Sequence, residues 1–125
     1  MIGPLATLIR STIAVTLAAI ILTGPAAAED PKRFELVIAE RHLVEGGPTV
    51  KVRQGDKVEL VWRSDEPADL HLHGYDLGVV VLPGEETVLT FQATTAGRFP
   101  ISSHGIGGGD DQSHRPLVYI EVHPE

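Results

Sequence analysis

The stretch PTVKVRQGDKVELVWRSDEP, residues 48–67, predicts two β-strands joined by a tight turn. Side chains alternate between the two faces of a strand, so Val58, Leu60 and Trp62 share one face of the segment Lys57–Arg63. Gly55 and Asp56 separate this segment from Thr49–Arg53, and both residue types are typical of turns. This stretch therefore favours a half-buried β-sheet with Val58, Leu60 and Trp62 in its core.

The same alternation continues to the C-terminus and predicts an all-β protein. Turn residues interrupt it, for example at Pro83-Gly84 and at Gly97. The core side chains are expected to include Leu70 with Leu72, and Phe99 with Ile101, while Leu89 and Phe91 share a face. The predicted strands are Phe34–Glu40, Thr49–Arg53, Lys57–Arg63, Asp69–His73, Gly78–Val81, Glu86–Ala93, Arg98–Ser103 and Leu117–Val122. Seven or eight short strands at this spacing indicate a two-sheet β-sandwich.

Residues 1–28 have the pattern of a cleavable secretory signal peptide. A positive charge at Arg10 precedes the uncharged apolar stretch STIAVTLAAIILTG, and Ala26-x-Ala28 matches a cleavage site. A transmembrane helix needs about 20 apolar residues, and Pro25 ends this stretch sooner, so an uncleaved anchor is the weaker alternative. The predicted mature protein is one domain, residues 29–125, exported to the periplasm, with no membrane attachment once the signal is cleaved.

The charge of the predicted domain excludes two classes of partner. Residues 1–28 hold one of the ten basic residues and none of the seventeen acidic ones, which leaves residues 29–125 a net charge of −8. Nucleic acids and anionic lipids reward a basic surface, so neither is expected as a partner. The chain has no cysteine, and its stability must come from the core and the sheet hydrogen bonds.

Two histidines one residue apart stand out in DLHLHGYD, residues 69–76. On a strand, His71 and His73 project from one face, where they could chelate one metal ion or simply be solvated. Downstream, His104 follows a predicted strand, and His114 lies in a glycine-rich loop with two aspartates. Imidazoles and carboxylates without a thiolate suit Cu(II), Zn or Ni. The loop groups fit an exposed turn equally well, and Asp76 has two interpretations, a turn residue or a hydrogen-bond partner for a histidine ring.

From about residue 48 onward the chain resembles the cupredoxin superfamily. The resemblance rests on residues 48–67, a histidine-bearing strand, a Pro-Gly turn, LTFQATTAGRF and the closing strand LVYIEV. It implies a Greek-key β-sandwich. Blue-copper members have a cysteine, a histidine and a methionine after the AG-x-aromatic step. Here Ser103 stands near the cysteine position and the only methionine is Met1, so no blue-copper site is expected.

The histidine motifs are more similar to those of multicopper oxidase domains. HLHG matches their H-x-H-G at His71, His73 and Gly74, whereas SSH keeps only His104 of their second H-x-H, with Ser102 in place of its partner. That family reduces oxygen with three coppers between two domains, which a single domain with an incomplete motif cannot reproduce. The resemblance implies a non-blue site of His71, His73 and His104, with His114 as the least supported further ligand.

These observations lead to one main functional hypothesis and two alternatives. We expect a periplasmic copper-binding protein for buffering, carriage or resistance; it would be a monomer and not an enzyme. Its partners would be the metal ion, with zinc as an alternative to Cu(I) or Cu(II), and a periplasmic metal-exchange protein. The alternatives are a metal-free interaction domain and, more remotely, a mononuclear copper oxidoreductase. His42 and His123 are expected to be solvated.

Overall fold

The computed structural model describes residues 3, 24–25, 29–105 and 116–125. In this part of the chain the protein is all-β, and no helix is long and apolar enough to span a membrane. The predicted signal peptide, residues 1–28, lies almost entirely outside the described residues. The strands are β1 Lys32–Ala39, β2 His42–Glu45, β3 Thr49–Arg53, β4 Lys57–Ser64, β5 Ala68–Leu72, β6 Leu77–Val81, β7 Thr87–Gln92, β8 Gly97–Gly105 and β9 Pro116–His123.

The strands form two sheets that enclose one core. A four-stranded sheet has the order β2-β1-β4-β7, and a five-stranded sheet has the order β3-β9-β8-β5-β6. Two of the pairings, β1 with β4 and β3 with β9, are parallel, and the other pairings are antiparallel. The predicted Greek-key β-sandwich is confirmed.

The core consists of the side chains that the alternation places inward. Val58, Leu60 and Trp62 of β4 are completely buried, as are Leu70 and Leu72 of β5. The other predicted core positions agree, since Leu89, Phe91 and Ile101 are buried and Phe99 packs against the core from its edge. Burial of such side chains stabilises the fold by about 1.5–3 kcal/mol each.

Strand β2 corrects the prediction of seven or eight strands, because it is an additional strand in the described residues. It pairs only with β1, through the two-residue loop Glu40-Arg41, and both loop residues have positive φ angles of 51° and 67°. Loops of this kind normally carry Asn-Gly or Asp-Gly. The loop carries no such pair, and only one residue of HLVE is even partly buried, so the alternation did not reveal the strand.

The outer face of the four-stranded sheet carries an ion-pair network across β1, β4 and the segment before β7. Arg33 pairs with Glu59 and Glu86, and Arg63 pairs with Glu35 and Glu86. The hydrogen bond from Arg63 to Glu86 and the charge of that carboxylate raise the pKa of Arg63 above its ordinary value. Because these side chains are about half exposed or somewhat less, solvent screens the network and its effect on stability is small.

Candidate metal site

The pairing of β5 with β8 decides where the predicted metal ligands lie. His71 is directly opposite Ser102, and Asp69 is directly opposite His104. Residues opposite each other in an antiparallel ladder share a face of the sheet. Their neighbours Leu70 and Leu72 are completely buried on the other face. His71 and His104 therefore lie on the outer face of the five-stranded sheet, and not in the core.

The rings of His71, His73 and His104 are neighbours on this face. The ring centroids of His71 and His73 are 4.5 Å apart with the planes nearly perpendicular, and those of His71 and His104 are 6.3 Å apart. His73 follows the end of β5, and its backbone N–H donates a 3.0 Å hydrogen bond to the carbonyl of Pro100. This bond continues the β5–β8 pairing for one residue and keeps His73 beside His71.

These distances can be compared with those that one shared metal ion requires. An imidazole nitrogen lies about 2.0–2.1 Å from zinc, which puts the ring centre roughly 3 Å from the ion and two such centres no more than about 6 Å apart. The His71–His73 pair meets this limit, and the His71–His104 pair is at its edge. No group of three or more metal-ligating side chains among the described residues is close enough to hold an ion without adjustment. Binding by all three rings therefore requires the rings to move closer together.

A glycine on the neighbouring strand lies beside His71. Gly78 of β6 is opposite His71, and a Cβ atom built there would lie 3.9 Å from Cδ2 of the His71 ring. A larger side chain at this position would occupy the surface beside the ring. The His71 side chain remains 31 % exposed, so an ion could reach it from solvent.

The turn after β5 is attached to the rest of the protein at several points. Gly74 has a φ of +88°, and a side chain there would overlap the ring of Phe99. The Tyr75 hydroxyl donates to the carbonyl of Thr95 at 2.9 Å and accepts from its N–H at 3.1 Å. The Tyr75 ring packs against Phe99 and Phe91 at centroid distances of 4.9 and 5.1 Å. These contacts fix the backbone that carries His73 and Asp76.

Asp76 contacts His71 across this turn. Nε2 of His71 and Oδ1 of Asp76 are 3.2 Å apart, and Asp76 has a positive φ of 53°. Both interpretations of Asp76 from the sequence are therefore correct, because it is a turn residue and it also contacts the ring. Its side chain is 97 % exposed, so the pair contributes little to stability.

The remaining histidines divide into two groups. His114 and the two aspartates near it lie outside the described residues, so their predicted role as ligands stays a prediction. His42 and His123 are exposed, and each contacts a local oxygen at 2.7 Å, the carbonyl of Glu40 and the carboxylate of Glu121, respectively. His42 belongs to the other sheet, and His123 lies at the far end of β9 from Pro116, the residue opposite Ser102.

Asp69 was not recognised from the sequence as a member of this surface. It shares the outer face with the histidines because of the β5–β8 register, as does Ser102, which stands in place of a motif histidine. Ser103, in contrast, is opposite Leu70 and shares the inner face. The pairing of two strands 30 residues apart in the chain cannot be read from either strand alone, so only the structure could assign these faces.

Solved structures similar to this chain include proteins from oxidases. One is the periplasmic domain of subunit II of cytochrome oxidase from Bradyrhizobium japonicum, with 11 % identity, 80 % of this chain and 89 % of that chain covered, and a TM-score of 0.62. Another is the blue copper oxidase from Nitrosomonas europaea, with 20 % identity and a TM-score of 0.60. The match covers 77 % of this chain and 40 % of that chain. The chain has a cupredoxin-like fold.

This cupredoxin-like domain also resembles a chain of a heme-copper terminal oxidase dimer, with 23 % identity, 74 % and 65 % of the two chains covered, and a TM-score of 0.60. It spans less than two thirds of that chain and less than half of the blue copper oxidase. No protein-family model matches the sequence, and no curated protein matches it either. At these identities the likeness establishes the fold alone.

Proposed function

We propose that this cupredoxin-like domain binds a copper ion through His71, His73 and His104. The observation that carries the proposal is the grouping of three imidazoles, from two strands and the turn after β5, on one solvent-accessible face. The similar solved structures, which include a blue copper oxidase and a heme-copper oxidase, support copper as the metal. Zinc is the alternative ion, because imidazole suits both metals.

The proposed site differs from a blue-copper centre in its donor atoms. A blue-copper centre needs a thiolate and usually a weak axial methionine, but the chain contains no cysteine and its only methionine is Met1. Ser103, near the expected cysteine position, shares a face with the buried Leu70, away from the histidines. A copper ion held by imidazoles alone would therefore lack the intense thiolate absorption.

The position of the histidines, with His104 exposed and His71 and His73 partly exposed, favours binding and transfer over catalysis. They lie on the outer surface of a sheet, whereas a cavity of about 400 Å³ lies at the other sheet, lined by Val37–Ala39, Arg63–Asp65 and Gly84–Glu86. An ion on an open surface can be passed directly to another protein. We infer a role in periplasmic copper buffering, carriage or resistance, as a monomer that exchanges copper with a protein partner.

The first test is a titration of the purified protein with Cu(II). Calorimetry measures the stoichiometry, and electron paramagnetic resonance identifies the ligand atoms. We expect one equivalent to bind, with nitrogen couplings from more than one imidazole and no intense blue absorption. The double variant His71→Ala/His73→Ala should lose this binding. The matched control is His42→Ala/His123→Ala, which removes two histidines outside the proposed site and should bind as the unaltered protein does.

Thermal unfolding provides a second measure of site-specific binding. A ligand at a hundred times its dissociation constant stabilises the folded state by about 2.7 kcal/mol, so Cu(II) should raise the melting temperature of the control but not of the His71/His73 variant. Equal binding by both variants would contradict the proposal. No stabilisation of the unaltered protein by Cu(II) or Zn(II) would instead favour a metal-free interaction domain.

A further inference from the structure

We propose that Asp76 is a positioning residue that holds His71 in the tautomer whose Nδ1 atom binds the metal. This inference rests on the proposed function, because it assigns the metal-binding atom within the same site. It follows from the contact between Nε2 of His71 and Oδ1 of Asp76 at 3.2 Å. No metal is needed for this contact, so its effect on the ring can be measured in the metal-free protein.

The chemistry of the two groups determines which ring nitrogen carries the proton. An ionised carboxylate only accepts hydrogen bonds, so the Nε2 atom that contacts it must be the donor. A neutral imidazole has one N–H, and its other nitrogen then carries a lone pair. Nδ1 is therefore the atom of His71 that is available to a metal. In metal sites a ligating histidine commonly donates its other N–H to a carboxylate, which fixes the tautomer and the ring orientation.

The turn keeps Asp76 in place although its side chain is exposed. The backbone of Asp76 has a φ of 53°, a region that Asp and Asn adopt more readily than most residues. The two preceding residues are fixed by Phe99 and Thr95 through the contacts of Gly74 and Tyr75 described above. The carboxylate thus starts from a fixed backbone point near the ring.

The variant Asp76→Asn tests the role of the carboxylate with little change in structure. Asparagine tolerates a positive φ and has nearly the same shape, but its amide can either accept from or donate to Nε2. The preference for the tautomer that carries its proton on Nε2 should therefore weaken. The matched control is Glu85→Gln, which removes one negative charge from an exposed residue of the turn between β6 and β7.

The first readout is the ¹⁵N chemical shifts of the His71 ring in the metal-free protein at a pH where the imidazole is neutral. In the unaltered protein and in Glu85→Gln, Nε2 should carry the proton. In Asp76→Asn, both nitrogens should shift toward a mixture of tautomers. An unaltered protein in which Nδ1 carries the proton would overturn the inference, whether or not it binds copper.

The second readout is affinity for Cu(II), with Zn(II) as the diamagnetic probe for the coordinating atom. Loss of a hydrogen-bond partner of this kind weakens metal binding roughly 10–100-fold, and Glu85→Gln should change affinity much less. Zn(II) should shift the Nδ1 signal of His71; coordination through Nε2, or by Asp76 itself, would contradict the inference. If the unaltered protein binds neither ion while the tautomer is as expected, the proposed function fails and the assignment of the hydrogen bond stands.

Discussion

Gly74 lies against the ring of Phe99 with no space for a side chain between them. This contact joins the turn after β5 to the strand that carries His104. Gly74 also has a φ angle of +88°, in the region that favours glycine. The position of His73 therefore depends on the absence of a side chain at Gly74.

The variant Gly74→Ala should destabilise the protein and weaken copper binding. Forcing extra atoms into a packed contact typically costs about 1–3 kcal/mol, and the left-handed backbone adds roughly 1–2 kcal/mol for a residue with a Cβ. Gly84→Ala is the matched control, because Gly84 also has a positive φ but a Cβ there would meet nothing within 4 Å. Unfolding by urea should show the larger loss for Gly74→Ala, and similar losses in the two variants would contradict the close contact.

The two neighbouring serines of β8 should respond differently to replacement by cysteine. Ser102 is opposite His71 on the outer face, whereas Ser103 is opposite Leu70 on the inner face. With Co(II) as the probe, Ser102→Cys should give a strong thiolate-to-metal charge-transfer absorption because a thiolate joins the imidazoles. Ser103→Cys should show none. The reverse result would mean that the faces of β8 are wrongly assigned.

The indole nitrogen of Trp62 is a buried polar atom. Replacing Trp62 by phenylalanine removes this atom, which should offset part of the stability lost with the larger ring. The residue is completely buried, and its Nε1 has no hydrogen-bond partner among the described residues. A buried unpaired donor costs about 1–3 kcal/mol. Trp62→Phe should therefore destabilise by clearly less than the roughly 3–5 kcal/mol expected for Trp62→Ala. Guanidinium unfolding of both variants measures this difference, and equal losses would contradict the prediction.

The loop between β1 and β2 offers a stabilising substitution. Glu40 and Arg41 both have positive φ angles, which residues with a Cβ adopt at a cost of roughly 1–2 kcal/mol. Glu40→Asn/Arg41→Gly should raise the free energy of unfolding by about 1 kcal/mol. The control Arg41→Ala removes the exposed ion pair with Glu66 but keeps the strain, so it should not stabilise.

The sequence predicted the strands and the core well because both depend on local alternation. Thr49–Arg53 was predicted with its observed bounds, and the other seven predicted strands differ by one or two residues at their ends. The sequence did not show on which surface His71 would lie relative to Asp69, Ser102 and His104. That relation depends on the long-range β5–β8 register, which periodicity alone does not determine.

The position of β9 within its sheet has a consequence for the order of folding. This strand is the last of the described strands, yet it lies between β3 and β8, and Thr49 is paired with Tyr119. The five-stranded sheet cannot close until residues 116–123 have been synthesised, and pairing across such a sequence separation slows folding. During synthesis β8 therefore exposes an unpaired edge beside the histidines until the final strand arrives.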